Sequence, residues 1–219
     1  MGTTYSVKLV FNNTKYEMNM INDSIDSILI NLNQQMSTWI ENSEISLFNK
    51  SLSVTPYKIS DDFYYVLQQG KLINDKTDGA FDYTIYPIAE LWGFGPNLEK
   101  KQKSPEKSDI EQVLSYVGID KIKLEYPYIK KLHPKIKLDL NAIAKGYAAD
   151  QVHDWLEARG FSNIFVEIGG EIRCSGLNIS KKQWTVGIDM PIKSSVPGQE
   201  FYTTLQLENK ALATSGSYR

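Results

Sequence analysis

The 219-residue chain contains one cysteine, Cys174, and two histidines, His133 and His153. A single cysteine excludes an internal disulfide and a cysteine-based metal cluster, and we interpret Cys174 as a small buried strand residue. His133 precedes Pro134 in a short turn, and His153 lies within a helical pattern. We interpret both histidines as structural or exposed residues, so the chain offers no obvious catalytic imidazole.

The chain also has no apolar stretch long enough to span a bilayer and no block dense in lysine or arginine. Its net charge is −2 with both signs interspersed, which argues against a nucleic-acid surface. No signal peptide begins the sequence, and it has neither a repeat of solenoid period nor a low-complexity segment. With 42% hydrophobic residues, the chain can bury a sizeable core as one domain, 1–219.

The most informative segment runs from Asp139 to Asp150, where a β-like run at 135–140 passes directly into a helical pattern that stops at Gly160. We predict Asn141 as the N-cap of that helix. Small residues crowd its first turns, and the free N–H groups of a helix start favour phosphate. Asp139 and Lys145 place opposite charges on either side of the turn. The segment indicates an anion site, although an ordinary packed strand–helix junction has the same spacing.

A second segment, 78–95, is rich in aromatic residues and begins with an Asp-Gly turn signal. Pro87 and the late glycines argue against a long regular helix. Aromatic side chains on such loops often form the walls of a cofactor pocket, but we interpret Trp92 and Phe94 as core residues. Asp82 needs a partner between these aromatics. It either accepts hydrogen bonds from a ligand or caps the following turn.

Three further segments are distinctive. The segment 36–49 follows a helix-like stretch, and 213–219 closes the chain. Within 168–176, Gly169 and Gly170 interrupt a strand and suggest a bulge or a close backbone approach. We expect these two glycines, and Gly79, to be requirements of the backbone rather than contacts with a ligand.

Helix and strand patterns mix without the regular alternation that a parallel doubly wound sheet needs. We therefore predict an α+β fold with a largely antiparallel mixed sheet and packed helices. The predicted helices are 17–36, 60–76, 108–117 and the one that follows Asn141. The predicted strands are 3–11, 121–125, 135–140, 163–168, 184–188 and 202–208, with a hairpin loop at 194–199.

Taken in order from Met1 to Arg219, these five segments resemble the FAD:protein FMN transferases, the ApbE-like family. The resemblance implies a two-lobed single domain. It also implies metal-dependent transfer of FMN from FAD to a Thr or Ser hydroxyl of a target protein, with release of AMP. FAD is then the substrate, Mg²⁺ the cofactor, and an acceptor protein carrying a flavinylation motif the partner, such as a redox-pump or flavoprotein subunit.

Matching the family motifs residue by residue implies a set of FAD contacts and one metal ligand. The implied FAD contacts are Met1, Trp39, Ala80, Phe81, Asp82 and Lys145. The implied metal ligand is Ala142, which can coordinate only through its backbone carbonyl, a hard oxygen suited to Mg²⁺. Lys145 would then face a phosphate as a compact positive charge.

Family members continue past the position that matches Arg219, into a segment with a His-x-x-Asp-Pro-type loop and an Asp and Thr that complete the metal site. We therefore expect the catalytic residues and part of the family domain to lie beyond Arg219. Low activity and weak Mg²⁺ dependence are expected of residues 1–219 alone. Family habit also implies a periplasmic lipoprotein, anchored to the inner membrane only through a lipid outside this chain.

Two alternatives to the transferase stay open. One is an FAD-binding or storage protein without chemistry, and the other is a Mg²⁺-dependent FAD pyrophosphatase that uses water in place of the acceptor hydroxyl.

Overall fold

A computed structural model describes residues 2–11, 17–96, 104–192, 196 and 198–216. The chain divides into two compact units, one formed by 29–144 and the other by 2–28 together with 145–219. Each unit has its own antiparallel sheet, so the predicted α+β class is confirmed. Among the described residues, no helix is long and apolar enough to cross a membrane.

The first unit combines helices with a small antiparallel sheet. Its helices are the second half of α1 (Met18–Met36), α2 (Glu44–Lys50), α3 (Asp61–Lys76), α4 (Tyr86–Leu91) and α5 (Lys107–Leu114). Its strands are β2 (Tyr57–Lys58), β3 (Ile122–Glu125) and β4 (Tyr128–Lys131), and a 3₁₀ turn at Ile119–Lys121 lies directly before β3. The strand order is β2-β4-β3, so the central strand is β4.

The second unit contains two antiparallel sheets and the helix that follows the 139–143 turn. Its elements are β1 (Tyr5–Leu9), the first half of α1, α6 (Ala144–Glu157), β5 (Ile164–Ile168), β6 (Glu171–Ser175), β7 (Trp184–Asp189), β8 (Phe201–Leu207) and β9 (Lys210–Leu212). The larger sheet has the order β1-β5-β6-β9, and β7 pairs with β8. Part of the predicted 194–199 loop lies outside the described residues. One buried cluster joins the two sheets and includes Phe165, Ile172, Cys174, Trp184, Val186 and Leu207.

Helix α3 shows how the local sequence determines an element. Its buried residues recur at helical spacing, and Asp61 and Asp62 lie at the N-terminal end, where the helix dipole favours negative charge. Ser60 occupies the predicted cap position, but its hydroxyl makes no cap bond. Instead, its Oγ lies 2.6 Å from Glu44 Oε2 and 2.7 Å from Gln35 Oε1, so the helix start is tied to α2 and α1.

The predicted strand at 135–140 is wrong as a strand, although its alternation is correct. Ile136, Leu138 and Leu140 are buried at every second position, as in an extended chain, yet no neighbouring strand pairs with them among the described residues. The backbone instead bonds to a side chain. Asn49 Nδ2 donates to the Leu138 carbonyl at 2.9 Å, and the Leu138 N–H donates to Asn49 Oδ1 at 2.7 Å.

Lys131 is a buried cation that closes the end of α2. Its side chain is 1% exposed, and Nζ donates to the carbonyls of Phe48 at 2.8 Å and Ser51 at 2.7 Å. The carbonyl end of a helix carries partial negative charge, which favours a cation there. Burial, with a smaller contribution from Lys137, lowers the pKa of Lys131 to about 8.

Replacing Asn49 with alanine should destabilise the first unit. The substitution leaves the buried N–H and C=O of Leu138 without partners, at about 1–3 kcal/mol for each group. Chemical denaturation should show a lower free energy of unfolding for Asn49→Ala, while Asn22→Ala on an exposed position of α1 should change it little. Equal stability of the two variants would contradict this role of Asn49.

The buried ammonium of Lys131 predicts a pH effect of definite sign. Its pKa is lowered in the folded protein, so above about pH 8 the unfolded chain binds more protons and stability rises with pH, up to the ordinary lysine pKa. The difference in unfolding free energy between the wild type and Lys131→Met should therefore move in favour of the wild type from pH 8 to 10. A flat difference would show that the ammonium is not desolvated.

Candidate functional site

The turn that precedes α6 is organised by Asp139 rather than by Asn141. Asp139 Oδ1 accepts a hydrogen bond from the Asn141 N–H at 2.7 Å. The Leu140 carbonyl accepts from the N–H groups of Ile143 and Ala144, and regular helix begins at Ala144. The prediction of Asn141 as N-cap is therefore wrong, because the residue lies inside a turn whose acceptor is the side chain two positions earlier.

Ala142 is exposed at the surface of this turn. The methyl group offers no ligand, so its backbone carbonyl is the hard oxygen that could face a Mg²⁺ ion. Asp139, the carboxylate nearest in sequence, already uses Oδ1 for the Asn141 N–H. One neutral carbonyl does not make a magnesium site, so these residues supply at most part of one.

Lys145, in the first turn of α6, pairs with Glu171 at the start of β6, with 2.9 Å between Nζ and Oε1. Both side chains are largely buried, with 29% of Lys145 and 15% of Glu171 exposed. The other carboxylate oxygen, Glu171 Oε2, is buried without a hydrogen-bond partner among the described residues. The sequence placed Asp139 and Lys145 on either side of the turn but did not predict Glu171 as the partner of Lys145.

A two-glycine turn presents Glu171. Gly169 and Gly170 have φ of 56° and 95° and connect β5 to β6, so they form a hairpin turn rather than the predicted bulge. The Gly170 N–H donates to Glu167 Oε1 at 2.8 Å, and Thr214 Oγ1 donates to the Gly170 carbonyl at 3.4 Å. The predicted close approach is confirmed, because a Cβ on Gly169 would lie 2.7 Å from Cγ2 of Thr3.

In the aromatic segment, Asp82 caps a turn. Its Oδ1 accepts from the Thr84 N–H at 2.7 Å and from the Thr84 hydroxyl at 2.6 Å, and Thr84 Oγ1 accepts from the Gly118 N–H. These contacts agree with the interpretation of Asp82 as the residue that caps the following turn. The predicted FAD contact through Asp82 stays a prediction.

Two aromatic residues of segment 78–95 that we interpreted as core residues are exposed. Trp92 and Phe94 are 46% and 69% exposed, so the interpretation of both as core residues is wrong. Tyr83 and Tyr86 are buried in their place. Pro87 lies near the first position of the six-residue helix α4, which agrees with the prediction that this segment forms no long regular helix.

The other implied FAD contacts differ in their surroundings. Trp39 is 63% exposed, and its backbone N–H donates to Ser37 Oγ at 3.3 Å. Ala80 is exposed and Phe81 half-buried, with the Phe81 carbonyl accepting from Asn74 Nδ2. Met1 lies outside the described residues.

Both histidines contact neighbouring side chains. His133 stacks on Tyr116 with 4.9 Å between ring centroids. His153 is 3% exposed, with Nε2 3.0 Å from Ser175 Oγ. Burial, together with Arg173, lowers the pKa of His153 below its usual value despite the opposing influence of Asp154.

Comparison with known proteins explains the order of these segments. The sequence model of the ApbE family matches residues 1–219. The chain belongs to the ApbE family. The resemblance drawn from the sequence is thereby confirmed.

Individual relatives agree with this assignment. The FAD:protein FMN transferase of Haemophilus influenzae is 39% identical over 225 residues, and that of Vibrio cholerae 35% identical over 219 residues. Each alignment covers 100% of this chain and 64% of the relative, so the chain spans a little under two thirds of these ApbE-family proteins.

Solved ApbE structures have the same fold. The flavin transferase ApbE from Vibrio cholerae matches with a TM-score of 0.90 at 35% identity, covering 100% of this chain and 70% of that one. The flavinyl transferase ApbE from Pseudomonas stutzeri, in its apo form, matches with a TM-score of 0.88 at 28% identity, covering 99% and 67%.

The hairpin at Gly169 provides a test of this ApbE-family architecture. Gly169→Ala should destabilise the protein through left-handed backbone strain of about 1–2 kcal/mol and through the clash with Thr3. Gly79→Ala is the matched control, since Gly79 has φ of 82° and nothing within 4 Å of an added Cβ. Thermal unfolding should show the larger loss for Gly169→Ala, with part of the loss restored by Thr3→Ala. Equal losses would exclude the close approach.

Proposed function

We propose that this ApbE-family chain carries out part or all of an FAD:protein FMN transferase reaction. The observation that carries the proposal is family membership over 1–219, together with relatives at 35–39% identity that bear this name. The substrate is FAD, and the acceptor is a Thr or Ser hydroxyl on another protein. We further propose the periplasmic face of a bacterial inner membrane as the location, with attachment through a lipid.

The reaction is a phosphoryl transfer at a pyrophosphate. The acceptor oxygen forms a bond to the phosphorus on the FMN side, and the hydroxyl loses its proton. The bond from that phosphorus to the bridging oxygen breaks, and AMP leaves with the electron pair on its phosphate. Because negative charge on the phosphoryl and leaving-group oxygens must be stabilised, positioned cations contribute most of the catalysis.

Lys145 is the residue of this chain best placed to meet a phosphate. It lies in the first turn of α6, where the helix dipole also favours an anion. The carboxylate of Glu171 holds the ammonium at 2.9 Å and limits its motion. Such an anchored ammonium can bind a phosphate oxygen while it keeps its orientation, which reduces the entropy lost on binding.

Mg²⁺ is proposed as the metal of the reaction, with the Ala142 carbonyl as one ligand. When bound, the ion would neutralise charge on the phosphate oxygens. Among the described residues, the ligand set around Ala142 is incomplete.

The decisive experiment follows the two halves of FAD separately. The protein is incubated with FAD, Mg²⁺ and an acceptor protein that carries a Thr-containing flavinylation motif. AMP release with flavin covalently attached to the acceptor supports the transferase. AMP with free FMN indicates a pyrophosphatase, and bound FAD without AMP indicates a storage protein.

Lys145→Met should weaken FAD binding by tenfold or more, because it removes the ammonium but keeps much of the apolar stem. Titration of flavin fluorescence measures the affinity, and Lys145→Arg should retain part of it. Lys71→Met, which removes an exposed lysine paired with Asp75, is the matched control. An unchanged affinity for Lys145→Met would exclude Lys145 from the site without excluding FAD binding elsewhere.

A further inference from the structure

One ring nitrogen of His153 has no hydrogen-bond partner among the described residues and lies beside carboxylates of the same helix. Its side chain is 3% exposed, and Nε2 lies 3.0 Å from Ser175 Oγ. The Ser175 hydroxyl donates its proton to the Ser162 carbonyl at 3.3 Å, so its oxygen is left to accept from Nε2–H. The neutral ring then carries its lone pair on Nδ1. That atom is buried and has no hydrogen-bond partner among the described residues.

Two carboxylates of the same helix lie beside this lone pair. Asp154 Oδ1 is 3.6 Å from His153 Nδ1. Glu157 follows one turn after His153, and the three potential ligand atoms all lie within 4.8 Å of one another. Two ligands of one tetrahedral Zn²⁺ ion are roughly 3.4 Å apart, given metal–ligand distances near 2.1 Å. The 3.6 Å between His153 Nδ1 and Asp154 Oδ1 is therefore close to the distance between two ligands of one ion.

The local charge also favours a cation. Arg173 Nη1 lies 2.9 Å from Asp150 Oδ1, and Arg173 Nη2 lies 2.8 Å from Asp154 Oδ1. Asp150 and Asp154 thus share this guanidinium, while Glu157 adds a third carboxylate on the same helix. A divalent ion would balance the charge that the three carboxylates carry in excess of the one guanidinium. A carboxylate has about four acceptor positions on two oxygens, so Asp154 can bind Arg173 and a metal together.

We propose that His153 Nδ1 and the carboxylates of Asp154 and Glu157 bind a divalent transition-metal ion. One imidazole and two carboxylates suit Zn²⁺ or Co²⁺ and leave a position for water. The site lies two turns beyond Lys145, roughly 12 Å along the helix axis at 1.5 Å per residue. It is therefore separate from the phosphate site proposed for Lys145, and it has no part in the proposed transfer.

Binding of Zn²⁺ alone tests the proposal. After treatment with a chelator and removal of the chelator, the 219-residue chain is titrated with Zn²⁺ against a chromophoric chelator. One ion should bind per chain with micromolar affinity, and Co²⁺ in its place should give the intense visible bands of a tetrahedral or five-coordinate site. If no Zn²⁺ binds at concentrations up to about 100 μM, the proposal is overturned.

Substitutions identify the ligands. Glu157→Gln changes an exposed side chain and should weaken Zn²⁺ binding at least tenfold, whereas Glu111→Gln on α5 should leave it unchanged. His153→Ala should abolish the Co²⁺ bands. Because His153 is buried, the circular dichroism spectrum and melting curve of the His153→Ala variant are compared with those of the wild type. If His153→Ala does not fold, the Zn²⁺ affinity of Glu157→Gln alone tests the ligand assignment. Equal Zn²⁺ affinity of Glu157→Gln and the wild type would overturn the assignment.

Discussion

The requirement that buried backbone groups be hydrogen-bonded shapes the region around 136–140. This segment buries three large aliphatic side chains but has no neighbouring strand among the described residues. Asn49 satisfies both backbone groups of Leu138, and the Asp139 N–H donates to the Tyr83 carbonyl. These contacts hold the segment in place directly before the turn that starts α6. The position of Ala142 thus depends on a side chain of α2, far away in sequence.

Three cations with little exposure to solvent are held by fixed oxygen atoms. Lys145 is held by Glu171, Lys131 by two carbonyls, and Arg173 by two carboxylates of α6. Taking a cation out of water is costly, so each is given an oppositely charged or dipolar partner. In the second unit, these pairs attach α6 to β6 at two points. The same strand therefore positions both the proposed phosphate-binding lysine and the proposed metal-binding turn of the helix.

The two-glycine turn links this arrangement to the chain ends. Gly169 and Gly170 adopt left-handed conformations that other residues reach only with strain. The turn lets Thr3 and Thr214 approach the tip of the β5–β6 hairpin. In this way the beginning and the end of the described chain meet next to Glu171.

Local sequence patterns determined much of this protein. Helical spacing of apolar residues predicted α3 and most of α1, alternation predicted the burial of 136–140, and the five ordered motifs identified the family. These features depend on neighbours within one or two turns of chain, so they can be read from residues alone. The tertiary structure decided which partner each polar group found. Glu171 for Lys145, Asn49 for Leu138 and exposed positions for Trp92 and Phe94 depend on contacts between distant segments, for which local propensity carries no information.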